Sequence, residues 1–355
     1  MRILHVITSL RVGGAEKLMV DLLPRLKEKG HQVDLLLFDG VDTQFKSQLQ
    51  GSGVNIISCG IGRSVYHPAN ILKLRKLMTQ YDVIHTHNYA PQIYAAIASI
   101  GKSVRLVTTE HASSNRRRKY KWFSTIDRWM YRRYSTVICI ADKTLENLQD
   151  FVGNNVADML VINNGVDVNR FASANPSAEL EKLAPKSRKI IMVAGFRWEK
   201  DQDTIIRALN LLPDRFHLFL VGDGVRRAEL EKLANVENVS KRVHFMGIKS
   251  NVPELLHAAD YVVMSSHFEG LSLSSVEGMS VGKPFLASDV DGLREVTANV
   301  GVLFPHQDAQ ALAKAIIQLE LSPTEYEKVS MACFKHAAMY DISLMAEQYN
   351  NVYLH

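Results

Sequence analysis

Two glutamates eight residues apart, Glu269 and Glu277, bracket Gly270, Leu271, Ser272 and Leu273 in the stretch FEGLSLSSVE. Residues 261–264 form a short apolar run with two valines, which suits a buried parallel strand. A turn follows at Glu269-Gly270, and Ser272, Ser274 and Ser275 offer N-caps for a helix whose apolar positions are Leu273, Val276 and Met279. Gly282 and Pro284 stop that helix, and 285–287 begins the next strand. A loop and helix start behind a strand's carboxyl end present free N–H groups and a positive dipole end, a natural anion site. Carboxylates are poor ligands for phosphate, so two of them flanking such a site suit hydroxyls, such as those of ribose or a sugar. Taken singly, Glu269 also reads as a turn residue and Glu277 as an acid complementing the helix dipole.

Other residues with chemical capacity sit at comparable places. Arg197 and Lys200, in FRWEK, follow an apolar run at 189–194; two cations at a strand's carboxyl end can stabilise a leaving diphosphate. They also fit exposed charges at a helix entry. Gly13-Gly14, in RVGGAE, follows the first strand and lets backbone approach a ligand before a helix, although no GxGxxG dinucleotide fingerprint is present. His85 and His87, in VIHTHN, alternate on one strand face and point together into a cleft; a zinc pair is disfavoured because no acid or cysteine follows at ligand spacing. His111 follows another strand. Residues 115–133, NRRRKYKWFSTIDRWMYRR, are the most basic in the chain and carry five aromatics. That composition suits an anionic membrane surface, with a solvated helix whose aromatics enter the core as the alternative. No nucleic-acid fold motif accompanies it.

These groups require an α/β scaffold. Strands are expected at 3–7, 32–38, 54–58, 83–85, 105–109 and 136–140, with helices at 16–29, 71–79, 93–99 and 142–151 between them. The rhythm restarts at 189–194, with helix 203–211, strands 217–221 and 243–246, and helix 251–259. Helices 309–319 and 323–338 follow, and 343–353 repeats its apolar residues at helical period. The alternation implies parallel sheets covered on both faces, with ligands at strand carboxyl ends. At 355 residues the chain exceeds a single core. We therefore place domains at 1–170 and 171–340, with 341–355 as a terminal helix.

Composition narrows the class. An apolar content of 46% with 22% charged residues excludes a disordered or fibrous chain. No apolar run is long enough to span a bilayer, and the first residues read as strand and loop instead of a signal peptide. Cys59, Cys139 and Cys333 are widely spaced, which fits a reducing, cytoplasmic setting without structural zinc. The net charge of +5 is uneven: residues 1–170 carry 23 Lys and Arg against 14 Asp and Glu, the remainder 19 against 23. The basic first half therefore suits an anionic partner.

Glu269-x7-Glu277 within HFEGLSLSSVEGMSVGKPFLASD closely resembles the E-x7-E segment of the retaining glycosyltransferase family 4. The resemblance runs from RVGGAE to the chain end. It implies two Rossmann-like parallel-sheet domains facing each other across a cleft, the GT-B fold, and a nucleotide-sugar donor used with neither metal nor other cofactor. By that resemblance Glu277 grips the donor ribose, Glu269 contacts the donor sugar, and the amides of Gly270, Leu271, Ser272 and Leu273 hold the diphosphate. His111 corresponds to a histidine contacting the donor sugar. Gly13 and Gly14 lie in a GGxE-like loop reaching toward donor phosphates and acceptor. Gly222 belongs to a GxG turn, and Ile248 to the loop that seats the nucleobase. Asn164-Gly165-Val166-Asp167 resembles the turn that closes the first domain. Lys200 matches the family's lysine, but the arginine usual five residues earlier is here Gly195, so Arg197 supplies that cation from a shifted position. The implied activity is transfer from a UDP-sugar to a glycan or lipid-linked glycan in bacterial surface polysaccharide synthesis, at the inner face of the membrane and without nucleic acid. The alternatives are a nucleotide-sugar 2-epimerase of the same fold, which lacks this E-x7-E arrangement, and a non-catalytic nucleotide-sugar-binding protein.

Overall fold

A computed structural model describes residues 1–11, 13–62, 64–111, 120, 122–269 and 272–355. Chain contacts divide it into two units: Met1–Gly165 with Ile342–His355, and Val166–Asp341. The division falls five residues before the expected 170/171. Val166 already belongs to the second unit because its N–H donates to Tyr340 O at 2.8 Å.

The first unit holds a seven-stranded parallel sheet among the described residues. Its strands are β1 (Arg2–Ile7), β2 (Gln32–Leu37), β3 (Asn55–Ser58), β4 (Val83–His87), β5 (Arg105–Glu110), β6 (Thr136–Cys139) and β7 (Asp158–Val161), in the order β3-β2-β1-β4-β5-β6-β7. Five of the six residues of β1 and of β2 are buried, the near-continuous apolar pattern required of strands covered on both faces. β4 continues two residues beyond the expected 83–85, because His85, Thr86 and His87 are wholly buried and keep pairing with β5. Three polar residues in a strand core weaken the apolar signal from which its end was read.

The terminal helix Ile342–Leu354 packs on this first unit. It buries Ile342, Met345, Ala346, Tyr349 and Tyr353, spaced at three and four residues, beside β1 and the helix Gly14–Glu28. Ile342 and Met345 each stabilise by about 1.5–3 kcal/mol. Arg105 ties the helix end by donating to the carbonyls of Val352 and Tyr353 at 2.7 and 3.1 Å.

The second unit contains β8 (Arg188–Val193), β9 (Phe216–Val221), β10 (Val243–Gly247), β11 (Tyr261–Met264), β12 (Phe285–Ser288) and β13 (Val302–Phe304), all parallel, in the order β10-β9-β8-β11-β12-β13. In each sheet the strand order reverses once, between β1 and β4 and between β8 and β11. Such reversals splay the connections apart and open a crevice at the strand carboxyl ends. Residues 168–189, which the sequence marks as linker and short helix, contain two short helices, Val168–Ala172 and Ala178–Leu183, capped by the side chains of Asp167 and Ser177. No helix among the described residues is long and apolar enough to cross a membrane.

Candidate active site

The second unit's reversal point carries a polar cluster. After β8 the chain turns through Trp198–Lys200 and starts the helix Gln202–Asn210; after β11 it runs through Ser265, Ser266, His267 and Glu269. The two loops are tied together. His267 N–H donates to Glu199 O at 2.8 Å, and Ser265 Oγ donates to Asp201 O at 2.7 Å. Held this way, Lys200 Nζ meets Glu269 Oε1 at 2.5 Å, and Ser266 Oγ donates to the same oxygen at 2.6 Å. The paired side chains are 18% and 11% exposed. Removing one member strands a largely desolvated charge, at about 3–5 kcal/mol where burial is complete and less here.

The helix Leu273–Met279 begins at Ser272, whose backbone is extended and whose hydroxyl makes no capping bond. Its first-turn amides are therefore left uncapped by that side chain. Glu277 is half-buried at the fifth helical position. Gly270 and Leu271 lie outside the described residues.

Arg197 is exposed, and its Nε lies 3.6 Å from the point where a side chain on Gly195 would begin. Arg197 thus lies beside the space the glycine leaves open. Gly222 and Gly224 bring the turn after β9 against the loop after β8. Gly222 has φ +136°, and a Cβ there would stand 2.1 Å from Ala194 O; one on Gly224 would stand 2.4 Å from Phe196 O. No side chain fits either position. Gly222 N–H also donates to Gly247 O at 2.9 Å, which sets Gly222 beside the loop of Ile248, itself 85% exposed.

In the first unit, Gly13 precedes the helix Gly14–Glu28 in extended conformation. A side chain there would collide with Glu16 Oε2 at 2.2 Å, so the Glu16 carboxylate folds back over the helix start. Burial raises its pKa. His111 follows β5, and its Nε2 shares a hydrogen bond with His87 Nδ1 at 2.9 Å. His111 Nδ1 is buried without a partner among the described residues. Burial lowers the His111 pKa to about 4, which keeps it neutral near pH 7.

His85 and His87 do not face a cleft, contrary to the expectation; both are wholly buried within the unit. A third histidine joins them. His5 on β1 is in register with His85, and its Nδ1 shares a hydrogen bond with His87 Nε2 at 3.0 Å. His85 is held by Tyr353 OH at 2.6 Å and Thr109 Oγ1 at 2.8 Å. The imidazoles of His5, His85 and His87 stack within 10–23° of parallel. One ring nitrogen from each lies within 4.8 Å of the other two, a spacing that metal ligands also adopt, although both nitrogens of His85 already have partners in Tyr353 and Thr109. His5 was missed because its only sequence signal is a polar residue inside an apolar strand. Of the basic stretch, residues 115–119 and 121 lie outside the described residues. Within the remainder, the helix Phe123–Tyr131 buries Met130 and Tyr131 and leaves Trp129 exposed, as is Trp122 just before it. The aromatics therefore divide between core and surface.

Two Rossmann-like parallel-sheet units, with the acids and cations of the second gathered at its strand-order reversal, define a GT-B protein. Two family profiles match the chain: Glycosyltransferase Family 4 over residues 12–170 and Glycosyl transferases group 1 over residues 177–335. The chain belongs to these group 1, family 4 glycosyltransferases. HepE from Anabaena, solved in complex with UDP, superposes with a TM-score of 0.85 at 22% identity, covering 99% of both chains. A UDP-Gal:alpha-D-GlcNAc-diphosphoundecaprenol alpha-1,3-galactosyltransferase of Escherichia coli is 26% identical over 70% of each sequence. The phosphatidyl-myo-inositol mannosyltransferase of Mycobacterium leprae is 24% identical, covering 96% of this chain and 92% of its own.

Proposed function

We propose that this chain is a retaining hexosyltransferase that moves a sugar from a UDP-sugar to a glycan or lipid-linked glycan in the synthesis of a bacterial surface polysaccharide. The observation that carries the reading is the Lys200–Glu269 pair at 2.5 Å, a cation and a hydroxyl acceptor held together at the strand-order reversal. Glu277 accepts hydrogen bonds from the donor ribose and Glu269 from the donor sugar. Lys200, Arg197 and the amides at Gly270, Leu271, Ser272 and Leu273 take up charge that builds on the departing diphosphate. Gly222 and the exposed Ile248 border the base. On the first unit, the reading assigns His111, Gly13 and Gly14 to the reacting sugar and the acceptor. The nucleotide is chosen because HepE was solved with UDP and the Escherichia coli relative is named for a UDP donor. That relative's lipid-linked acceptor supports an acceptor at the inner membrane face, approached through the basic segment 116–133.

Thermal shift across UDP-, GDP- and ADP-sugars tests the donor, since a ligand that binds only the folded state raises the melting point. Only UDP-sugars should do so, and the matching donor incubated alone should slowly release UDP and free sugar. An epimeric donor as product, or no turnover with any donor, would replace this reading. Turnover should persist in EDTA, because side-chain cations and backbone amides meet the diphosphate. Loss restored by manganese would place the reaction in another mechanistic class.

A further inference from the structure

Three loops of the second unit bring Asp201, His267 and His306 together behind β8, β11 and β13. One donor atom from each lies within 4.8 Å of the other two. We propose that these residues form a site for a divalent transition-metal ion of the zinc class. His267 Nδ1 lies 2.8 Å from His306 Nε2 and 3.7 Å from Asp201 Oδ2. Ligands about 2.1 Å from a tetrahedral ion stand roughly 3.4 Å apart, so the two measured spans straddle the required value. His306, exposed on a turn, supplies the freedom to adjust.

The geometry differs from that of the stacked histidines in the first unit. The His267 and His306 rings meet edge to face, 5.0 Å apart at 86°, with the two nitrogens adjacent. Asp201 is only 2% exposed, and its carboxylate accepts a bond from Thr204 Oγ1 at 2.6 Å. His267 lies beyond hydrogen-bonding distance of it. A buried carboxylate held by a hydroxyl and faced by two imidazoles is a typical setting for a cation.

The support around the ligands is built. Asp201 is held at φ +45°, ψ +50°, a left-handed conformation that costs a non-glycine residue of the order of 1 kcal/mol. Its carbonyl is fixed by Ser265 Oγ. The backbone of His267 is fixed by Glu199 O, and its ring packs on Trp198 with centroids 4.4 Å apart. Two imidazole nitrogens with one carboxylate select zinc, cobalt or nickel over magnesium and calcium, which prefer all-oxygen sites. Lys200 immediately precedes Asp201, and Glu269 follows His267 by two residues. A bound ion therefore adds to the hydrogen bonds that already tie these two loops, and the proposed transfer does not use it.

The test needs no sugar donor, so its outcome is independent of the proposed transfer. Calorimetry with Zn²⁺ and visible absorption with Co²⁺ are compared for the full chain and for His306→Ala, whose exposed position leaves the fold intact. The full chain should bind with an affinity about a hundredfold above that of the variant. Zn²⁺ should raise its melting temperature and leave that of the variant unmoved. His306→Cys should restore binding, and His267→Gln should lose it. Identical isotherms and melting shifts in wild type and H306A would overturn the site, as would no Zn²⁺ binding by wild type.

Discussion

Lys200 and Glu269 neutralise each other, and on the proposed reading a donor diphosphate draws Lys200 toward itself. The new interaction is strongest when charge peaks on the leaving group, hence at the transition state. Lys200→Ala should lower kcat by about 10²–10³-fold with a much smaller change in KM. A rise in KM alone would make Lys200 a uniform binding group. Arg197 offers a second test. Arg197→Ala should reduce turnover, and Gly195→Arg in that background should recover it, since with Arg197 truncated the nearest atom to a Cβ at 195 is Asp223 O, an ordinary contact at 3.8 Å. Full activity in Arg197→Ala alone would show that no cation is needed there. E-x7-E and Lys200 were legible because their spacing is local. That Arg197 lies beside the space above Gly195 was not legible, because that space depends on how the turn folds back.

β1 and β4 hold the buried histidines, and their register makes stability depend on pH. Burial lowers the pKa of His5 to about 3 and of His111 to about 4, and takes His85 and His87 well below their usual range. In the unfolded chain all four titrate near 6.5. Between those limits the unfolded state binds more protons than the native one, so stability falls as pH falls. It is complete above about pH 6.5 and declines as pH drops below that value toward the folded pKa values. The urea midpoint should therefore drop between pH 7.5 and 5, before most carboxylates titrate. An unchanged midpoint across that window would mean that these histidines are not held neutral.

Across the whole chain, charge is divided by unit. Met1–Gly165 with Ile342–His355 carries a formal +8, and Val166–Asp341 carries −3. On the basic unit, Trp122 and Trp129 are 61% and 41% exposed, and the run Arg116, Arg117, Arg118, Lys119 and Lys121 precedes them in sequence. Basic residues near an anionic bilayer contribute about 1 kcal/mol each, and salt screens them. The protein should co-sediment with anionic vesicles at low salt and be released at high salt. Changing those five residues to Ser should abolish the binding. Equal binding to neutral vesicles, or none to either, would remove the membrane from the reading.

By itself the sequence determined the alternation of strand and helix, the two α/β units, and the E-x7-E segment with its strand, loop and helix. Each of these is written at spacings of two to eight residues, within the reach of local periodicity and capping. The short helices Gln44–Gly51 and Leu293–Thr297 and the three-residue strand β13 escaped, because so few residues carry little periodic signal. Tertiary structure alone decided what meets across long separations. Parallel register set His5 beside His85, two loop-to-loop hydrogen bonds set Lys200 against Glu269, and the packing of three strand ends gathered Asp201, His267 and His306. Side-chain identity names what each of these residues can do. Which partner it does it with depends on strand order and register, and those are fixed by burial of the whole sheet.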